Sequence, residues 1–390
     1  MALDADLLIL GGGCAGLSLG VRIAHDPDWR RRVLILERRE SYSNDRTWCF
    51  WRGAAHPFEH LISHSWPTMR VQARPAQVVM DCGATPYQLL SAGDFYRDAE
   101  ERIAAAPAVE LQLGVSVREE PVRIAGGWRI ETEGGSVSAR QIIDTRPPPS
   151  VHAGDAILWQ SFVGHEIECA SPVFDPSMVE LMDFEAASDR GIAFTYVLPV
   201  SPTRALVEYT VFGRTPRSAA SLASAQRAAV ATACRGNPAV VLRQESGILP
   251  MGLTVNPSRR VVDYHRVGLM SGAGRASTGY AFQRIQRWAD AATASLRHNA
   301  FEVGHAPDAW HQRAMDRLFL LVLRDHPERA PSLFLSMFRN ADAVRVIRFL
   351  SDNGTAIDRA AIVATLPVGL FLRQLVQSDA PAVPVLRGST

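Results

Sequence analysis

The chain has 390 residues, of which 47% are hydrophobic and 21% charged, with a formal net charge of +1. This is ordinary globular composition, long enough for two or three structural units, and it lacks the basic excess that a nucleic-acid partner requires. Five scattered cysteines (Cys14, Cys49, Cys82, Cys169, Cys234) form no C-x-x-C pair, which argues for a reducing compartment over a disulfide framework and offers no zinc spacing.

Residues 6–37 read as strand, turn, helix and strand. An apolar run to Leu10 leads into Gly11-Gly12-Gly13-Cys14-Ala15-Gly16. A helical pattern follows through Leu17, Leu19, Val21 and Ile23, and Val33-Leu34-Ile35-Leu36 is a second buried strand ending at Glu37. Pro147-Pro148-Pro149 marks an extended crossover between domains. From about 157 to 212 apolar residues alternate, as in Phe194, Tyr196, Leu198 and in Ala205, Val207, Tyr209, Val211. That period predicts antiparallel strands joined at Pro199-Val200-Ser201-Pro202. Residues 218–235 and 281–298 predict helices. The chain beyond Asp308 is helical, with Met315, Leu318, Phe319 and Val322 at helical spacing, and it ends in a loose tail of prolines and small residues.

The longest apolar patches, Leu318 to Leu323 and Leu333 to Phe338, fall short of the roughly 20 residues that a membrane span needs. The N-terminus enters a strand rather than a signal peptide. A cytoplasmic protein is therefore expected, peripheral on the inner face of the cell membrane if it meets one. The two patches are flanked by Arg317, Arg324, Arg329 and Arg339. They are either an interfacial helix pair or the core of a helical bundle.

A G-x-G-x-x-G motif alone says little. Here it follows an apolar strand, opens a helix, and precedes an acid, Glu37, at the end of the next strand. Gly11 allows the tight turn, Gly13 lets backbone approach a pyrophosphate, and Gly16 lets helix pack on strand. Cys14 and Ala15 open the helix whose N–H groups and dipole would meet phosphate. Glu37 would accept hydrogen bonds from ribose hydroxyls. The position near the N-terminus, the chain length and a later glycine-rich segment, Gly268 to Gly279, favour FAD over NAD.

Further motifs stand in order along the chain: Asn44-Asp45-Arg46-Thr47-Trp48-Cys49-Phe50-Trp51, Phe174-Asp175-Pro176, Tyr196-Val197-Leu198-Pro199 and Leu206-Val207-Glu208-Tyr209-Thr210. They continue with Glu245-Ser246-Gly247-Ile248-Leu249-Pro250-Met251, Ser277-Thr278-Gly279-Tyr280-Ala281-Phe282, Met315-Asp316-Arg317 and Arg348-Phe349-Leu350-Ser351-Asp352. Over residues 6–375 this pattern resembles the bacterial lycopene β-cyclases, soluble-type flavoenzymes of carotenoid synthesis. The resemblance implies a redox-neutral isomerisation in which the ψ-ends of lycopene close to β-ionone rings, giving γ-carotene and then β-carotene. It also implies FAD in its reduced form, kept reduced by NADPH or NADH, and an essential glutamate that carries over to Glu208.

That chemistry needs an acid to protonate C2 of the terminal alkene, a wall that tolerates the resulting cation, and exclusion of water. A carboxyl on an apolar strand has its pKa raised by desolvation and can act as acid or base. Glu208 either does this or faces solvent from an alternating strand. Trp48, Trp51, Phe194, Tyr196 and Tyr280 are candidates to line the substrate by cation–π contact, against core packing for any one of them. Glu245 is either a second acid or a strand-end cap, and Asp45 and Arg46 either touch the flavin or anchor a turn. In the distal flavin loop Gly272, Ala273, Gly274 and Gly279 are expected at the cofactor. The strand-end aspartate of flavin hydroxylases is missing there, and Arg275 leaves the loop's flavin contacts undecided. The histidines show no metal-ligand spacing.

The expected fold class is α/β: an FAD/NAD(P)-binding Rossmann-like fold of the glutathione-reductase and hydroxylase type, with an antiparallel substrate sheet and a helical C-terminal region. The expected FAD-binding domain comprises 1–80, about 95–150 and 258–300. The substrate domain takes about 81–94 and 151–257, and the helical region 301–378. Two rival functions are a flavin monooxygenase or oxidoreductase acting on a lipophilic isoprenoid and a non-catalytic flavin or carotenoid carrier.

Overall fold

The computed structural model describes residues 3–53, 56–148, 150–185, 191–253, 261–298 and 303–379. Ala5–Leu10 and Val33–Leu36 pair in parallel, with Val109–Gln112 beyond the second and Gly135–Asp144 beside the first. Their side chains from Leu7 to Leu10 and from Val33 to Leu36 are buried on both faces, which is why these strands read as unbroken apolar runs. The crossover is the helix Cys14–Ala24. It packs with the helices Ala92–Ala104 and Phe282–Arg297 on one side of the sheet. Tyr264–Arg266 adds a parallel strand, and the antiparallel strands Gly127–Thr132 and Val122–Ile124 complete seven.

A second seven-stranded sheet runs in the order Ala239–Leu253, Ala156–Cys169, Arg204–Gly213, Ile192–Pro199, Met178–Phe184, Thr68–Ala73, Ala76–Asp81. All its neighbours are antiparallel except Met178–Phe184 with Thr68–Ala73. Both faces are covered. Val207, Tyr209 and Val211 pack under the helix Ala219–Ala233, while Leu206, Phe212 and Phe194 join the main core with the C-terminal helices. A small sheet of Thr47–Trp51, Tyr87–Ser91 and Ile62–Trp66 stands between the two.

Two expected boundaries move. Residues 68–80, assigned from sequence to the nucleotide domain, belong to edge strands of the substrate sheet. Residues 87–94, assigned to the substrate domain, instead form the small sheet and open a helix of the nucleotide domain. Local apolar patterning does not say which sheet a strand joins. Pro149 and residues 258–260 lie outside the described residues.

The C-terminal region is five helices, Trp310–Asp325, Ala330–Asn340, Ala343–Leu350, Ala356–Ala364 and Val368–Asp379. Leu320 to Leu323, Leu333, Leu335, Met337 and Phe338 are all buried in the main core. The two apolar patches are thus bundle core and not a membrane face. Among the described residues no single helix is long and apolar enough to cross a membrane.

A buried ion cluster ties these helices to the loop 268–281. Arg275, 2% exposed, donates to both oxygens of Asp316 at 3.2 Å, lies 3.3 Å from Asp352, and caps the carbonyl of Phe349. Arg284 joins Asp352 at 2.9 Å and Ser277 donates to Asp316 at 2.9 Å. The Met315-Asp316-Arg317 and Arg348-to-Asp352 motifs therefore place the partners of Arg275. Breaking one side of a buried ion pair leaves uncompensated charge. Arg275→Met should lower unfolding stability by about 3–5 kcal/mol in chaotrope melts; a loss below about 1 kcal/mol would show that the cluster only breaks even against apolar packing.

Candidate active site

The glycine turn has the form a pyrophosphate needs. Gly11 sits at φ +95°, and a Cβ on Gly16 would lie 2.0 Å from the Gly11 carbonyl oxygen, so helix and strand touch there. A Cβ on Gly13 would meet nothing within 4 Å. That open space faces the first turn of Cys14–Ala24, where no side chain caps the N–H groups, and it fits the phosphates of a dinucleotide. The Glu37 carboxylate accepts from the Gly12 N–H at 2.7 Å and from the backbone and guanidinium of Arg39 at 2.9–3.2 Å. Those bonds hold its pKa below the usual range although burial pushes it up. Glu37 thus braces the turn, with Arg39 and Tyr42 both bonded to the Gly12 carbonyl.

The catalytic candidates form one row across four adjacent strands: Glu245 beside Gly164, Gly164 beside Glu208, Glu208 beside Tyr196. Residues paired this way share a face, and two strand spacings separate the glutamate Cα atoms by about 10 Å. Gly164 keeps the gap between them open. A Cβ there would lie 3.0 Å from Glu245 Cγ and 3.5 Å from Glu208 Cβ. Gln226 braces the opposite side. Its fully buried amide accepts from the Tyr209 N–H at 2.9 Å and donates to the Val207 carbonyl at 2.7 Å, on either side of Glu208.

The two carboxyls have unequal partners. Glu245 takes the Arg243 guanidinium and, at 2.8 Å, the Thr47 hydroxyl, and Arg243 is held in turn by Glu166 at 2.9 Å. Glu208 has the Thr210 hydroxyl at 3.0 Å. Burial pushes the Glu208 carboxyl up to about 8, and the neighbouring charge of Glu245 adds to it. Burial raises Glu245 as well, but its direct ion pair with Arg243 opposes this. Burial thus favours the proton on Glu208 at neutral pH, and the ion pair with Arg243 favours charge on Glu245 over charge on Glu208.

Both face a cavity of about 430 Å³, within the usual size of small-molecule sites. Trp48, Trp51, Tyr196 and Tyr280 line it, together with Cys14, Arg46 and Gly279. The cavity thus runs from the opening of the nucleotide helix to Glu208. Phe194 does not line it; fully buried, it packs on Phe184, Tyr196 and Phe212. Gly272, Ala273 and Gly274 stand behind the lining, with the Ala273 carbonyl held by Arg284 at 2.9 Å. Asp45 anchors its turn through Arg46 and the Tyr96 hydroxyl. Arg275 points away into the ion cluster, so it makes no flavin contact from that position. Sequence reasoning missed Thr47, Gly164, Gln226 and Arg243. Two signals were available: a glycine inside a strand marks a close approach, and Arg243 shares the face of Glu245 two residues on.

A family model described as lycopene cyclase protein matches residues 6–375. Lycopene β-cyclase of Pantoea ananas is 24% identical over 93% of this chain and 94% of its own. That of Paracoccus sp. (strain N81106 / MBIC 01143) is 30% identical over 73% and 72%. Among solved structures, p-nitrophenol 4-monooxygenase from Pseudomonas putida DLL-E4 superposes with TM-score 0.58 at 14% identity, covering 94% of this chain and 98% of its own. The halogenase PltM in complex with FAD superposes at 0.55 and 12%, covering 93% and 85%. These share the fold of FAD-dependent enzymes.

A carboxyl with a raised pKa binds its proton more tightly when folded, so its contribution to stability is full below about 4.5 and is lost as pH rises towards 8. Gln at 208 has no such loss. The melting temperature of Glu208→Gln relative to wild type should rise between about pH 5 and pH 9; a constant difference would mean that Glu208 is ionised at neutral pH. With its motifs gathered around this row, the chain belongs to the lycopene cyclase family of carotenoid-cyclising enzymes.

Proposed function

We propose that this protein is a lycopene β-cyclase in which Glu208 is both the acid that starts ring closure and the base that ends it. The observation that carries this reading is the buried Glu208 carboxyl, its pKa pushed up to about 8, facing the cavity in one row with Glu245 and its Arg243 partner. The glycine turn, the Cys14–Ala24 helix and the loop 268–279 would hold FAD, with NADPH or NADH as its reductant. When bound and reduced, FAD supplies negative charge near a cationic intermediate.

Glu208 gives its proton to C2 of a ψ-end, leaving a tertiary cation at C1. The C5=C6 bond closes on C1, the charge moves to C5, and the C6 proton passes to the Glu208 carboxylate. The proton count closes on one residue and no electrons are exchanged. The Thr210 hydroxyl donates to the carboxylate between the two transfers. Leu198, Leu206 and Phe162 keep water from the cation, and Tyr196 and Trp51 present aromatic faces to it, each worth about 2 kcal/mol when desolvated. Arg243 and Thr47 favour charge on Glu245, and that charge in turn favours the proton on Glu208 between turnovers.

The substrate is a bilayer hydrocarbon, so we also infer that the protein docks on the inner face of the cell membrane. Support comes from the helices Ala356–Ala364 and Val368–Asp379, where Ile357 and Val376 are 69% and 74% exposed and Val363, Val368 and Leu372 are exposed beside them. Residues 310–377 carry nine arginines against six acidic residues, which suits anionic lipid.

Expression in a lycopene-accumulating bacterium should turn red pigment to yellow-orange β-carotene, and Glu208→Gln should leave it red, a loss of at least about a hundredfold in rate. Unchanged pigment from wild type with FAD bound would sink the cyclase reading. Oxygen consumption stoichiometric with product would favour the monooxygenase. For docking, flotation with anionic liposomes should retain wild type and release the Leu372→Glu, Val376→Glu double variant; absence of any wild-type binding would refute it.

A further inference from the structure

A second cavity, of about 240 Å³, lies among the C-terminal helices. Of its seventeen lining residues fourteen are apolar, contributed by all five helices. Its one ionisable lining residue, Asp316, is turned into the ion cluster, where Arg275 and Ser277 take both carboxylate oxygens. Ser277 is spent on Asp316, which leaves the Thr278 hydroxyl as the other polar side chain of a lining that otherwise suits hydrocarbon.

The slot adjoins the active-site cavity. Thr278 and Leu350 line both, so the two spaces meet at a shared wall. The lining also includes Val363, Val368 and Leu372, each close to or above half exposed. The slot thus lies between apolar side chains exposed on the last two helices and the wall that it shares with the cavity holding Glu208. Its walls are half-buried aromatic and aliphatic side chains such as Phe319, Phe334 and Phe371, which contact one another edge-on or stacked.

Resting on the cyclase reading above, we propose that this slot is a chain-binding subsite that holds the unreacted remainder of a long linear isoprenoid while one end lies at Glu208. The slot adds about 240 Å³ of apolar space to the 430 Å³ at Glu208, room for the chain beyond the reacting end. Binding energy from that remote chain positions the reacting end. One end reacts per binding event, because the other is held away from the acid.

The test compares lycopene with a half-length analogue that carries a single ψ-end, both delivered in detergent micelles. Leu366→Trp fills the slot from its half-buried wall, and Val363→Trp, at the exposed mouth, guards against a folding failure in the first. In each variant kcat/KM for lycopene should fall about tenfold or more, mainly through KM, while that for the half-length analogue stays within about twofold of wild type. Equal losses on both substrates, or no loss on lycopene, would overturn the subsite. If the slot instead held a phospholipid acyl chain, the variants would weaken liposome flotation and leave lycopene turnover in micelles intact, which also refutes it. The cyclase reading is separately tested by Glu208→Gln, which should abolish turnover of both substrates whatever the slot does.

Discussion

Two carboxyl groups share one wall of a desolvated cavity, and the guanidinium of Arg243 is committed to one of them. Coulomb repulsion in such a place is not screened by water, so both cannot carry charge at little cost. Because Arg243 is held by Glu166 and Thr47 on the side of Glu245, protonation is favoured at Glu208, whose pKa burial pushes up to about 8. The strand register makes this possible. Gly164 stands between the two glutamates with no side chain to fill the gap, and Gln226 secures the backbone on both sides of Glu208 from beneath.

The rest of the molecule arranges reactants around that row. The nucleotide domain presents an open helix N-terminus at one end of the cavity, and the small sheet carries Trp48 and Trp51 into its wall. The C-terminal helices close the other side, and the Arg275 cluster fixes them to the loop 268–281. That loop contributes Thr278, Gly279 and Tyr280 to the lining. The loop 268–281 and the C-terminal helices are thereby held by one buried electrostatic joint. The same placement sets a buried carboxyl with a raised pKa in the cavity wall of a flavoprotein fold.

Several apolar side chains on the last two helices are exposed, whereas the stretches richest in leucine are buried. Leu320 to Leu323 are needed against the large sheet and the neighbouring helices, whereas Ile357, Val368 and Val376 have no layer of protein above them. Apolar density in a sequence measures how much must be buried, and not by what.

The sequence by itself determined the nucleotide-binding turn, because its glycines are required by local geometry: a positive φ at Gly11 and backbone contact at Gly16. It also determined the antiparallel strand that carries Glu208, through period-two alternation, and the family, through motifs spread along the chain. Which face of that strand meets the cavity was left open, since alternation cannot distinguish the two sides of a sheet buried on both. Tertiary structure decided it by laying the helix Ala219–Ala233 over Val207, Tyr209 and Val211. It likewise decided the partners Gly164, Arg243 and Thr47, which lie 44, 35 and 161 residues from Glu208 along the chain. It placed Phe194 in the core, Glu37 at a brace and Arg275 in a joint. In each case the outcome depends on which surfaces pack together, and that is a property of the folded chain rather than of any local run of residues.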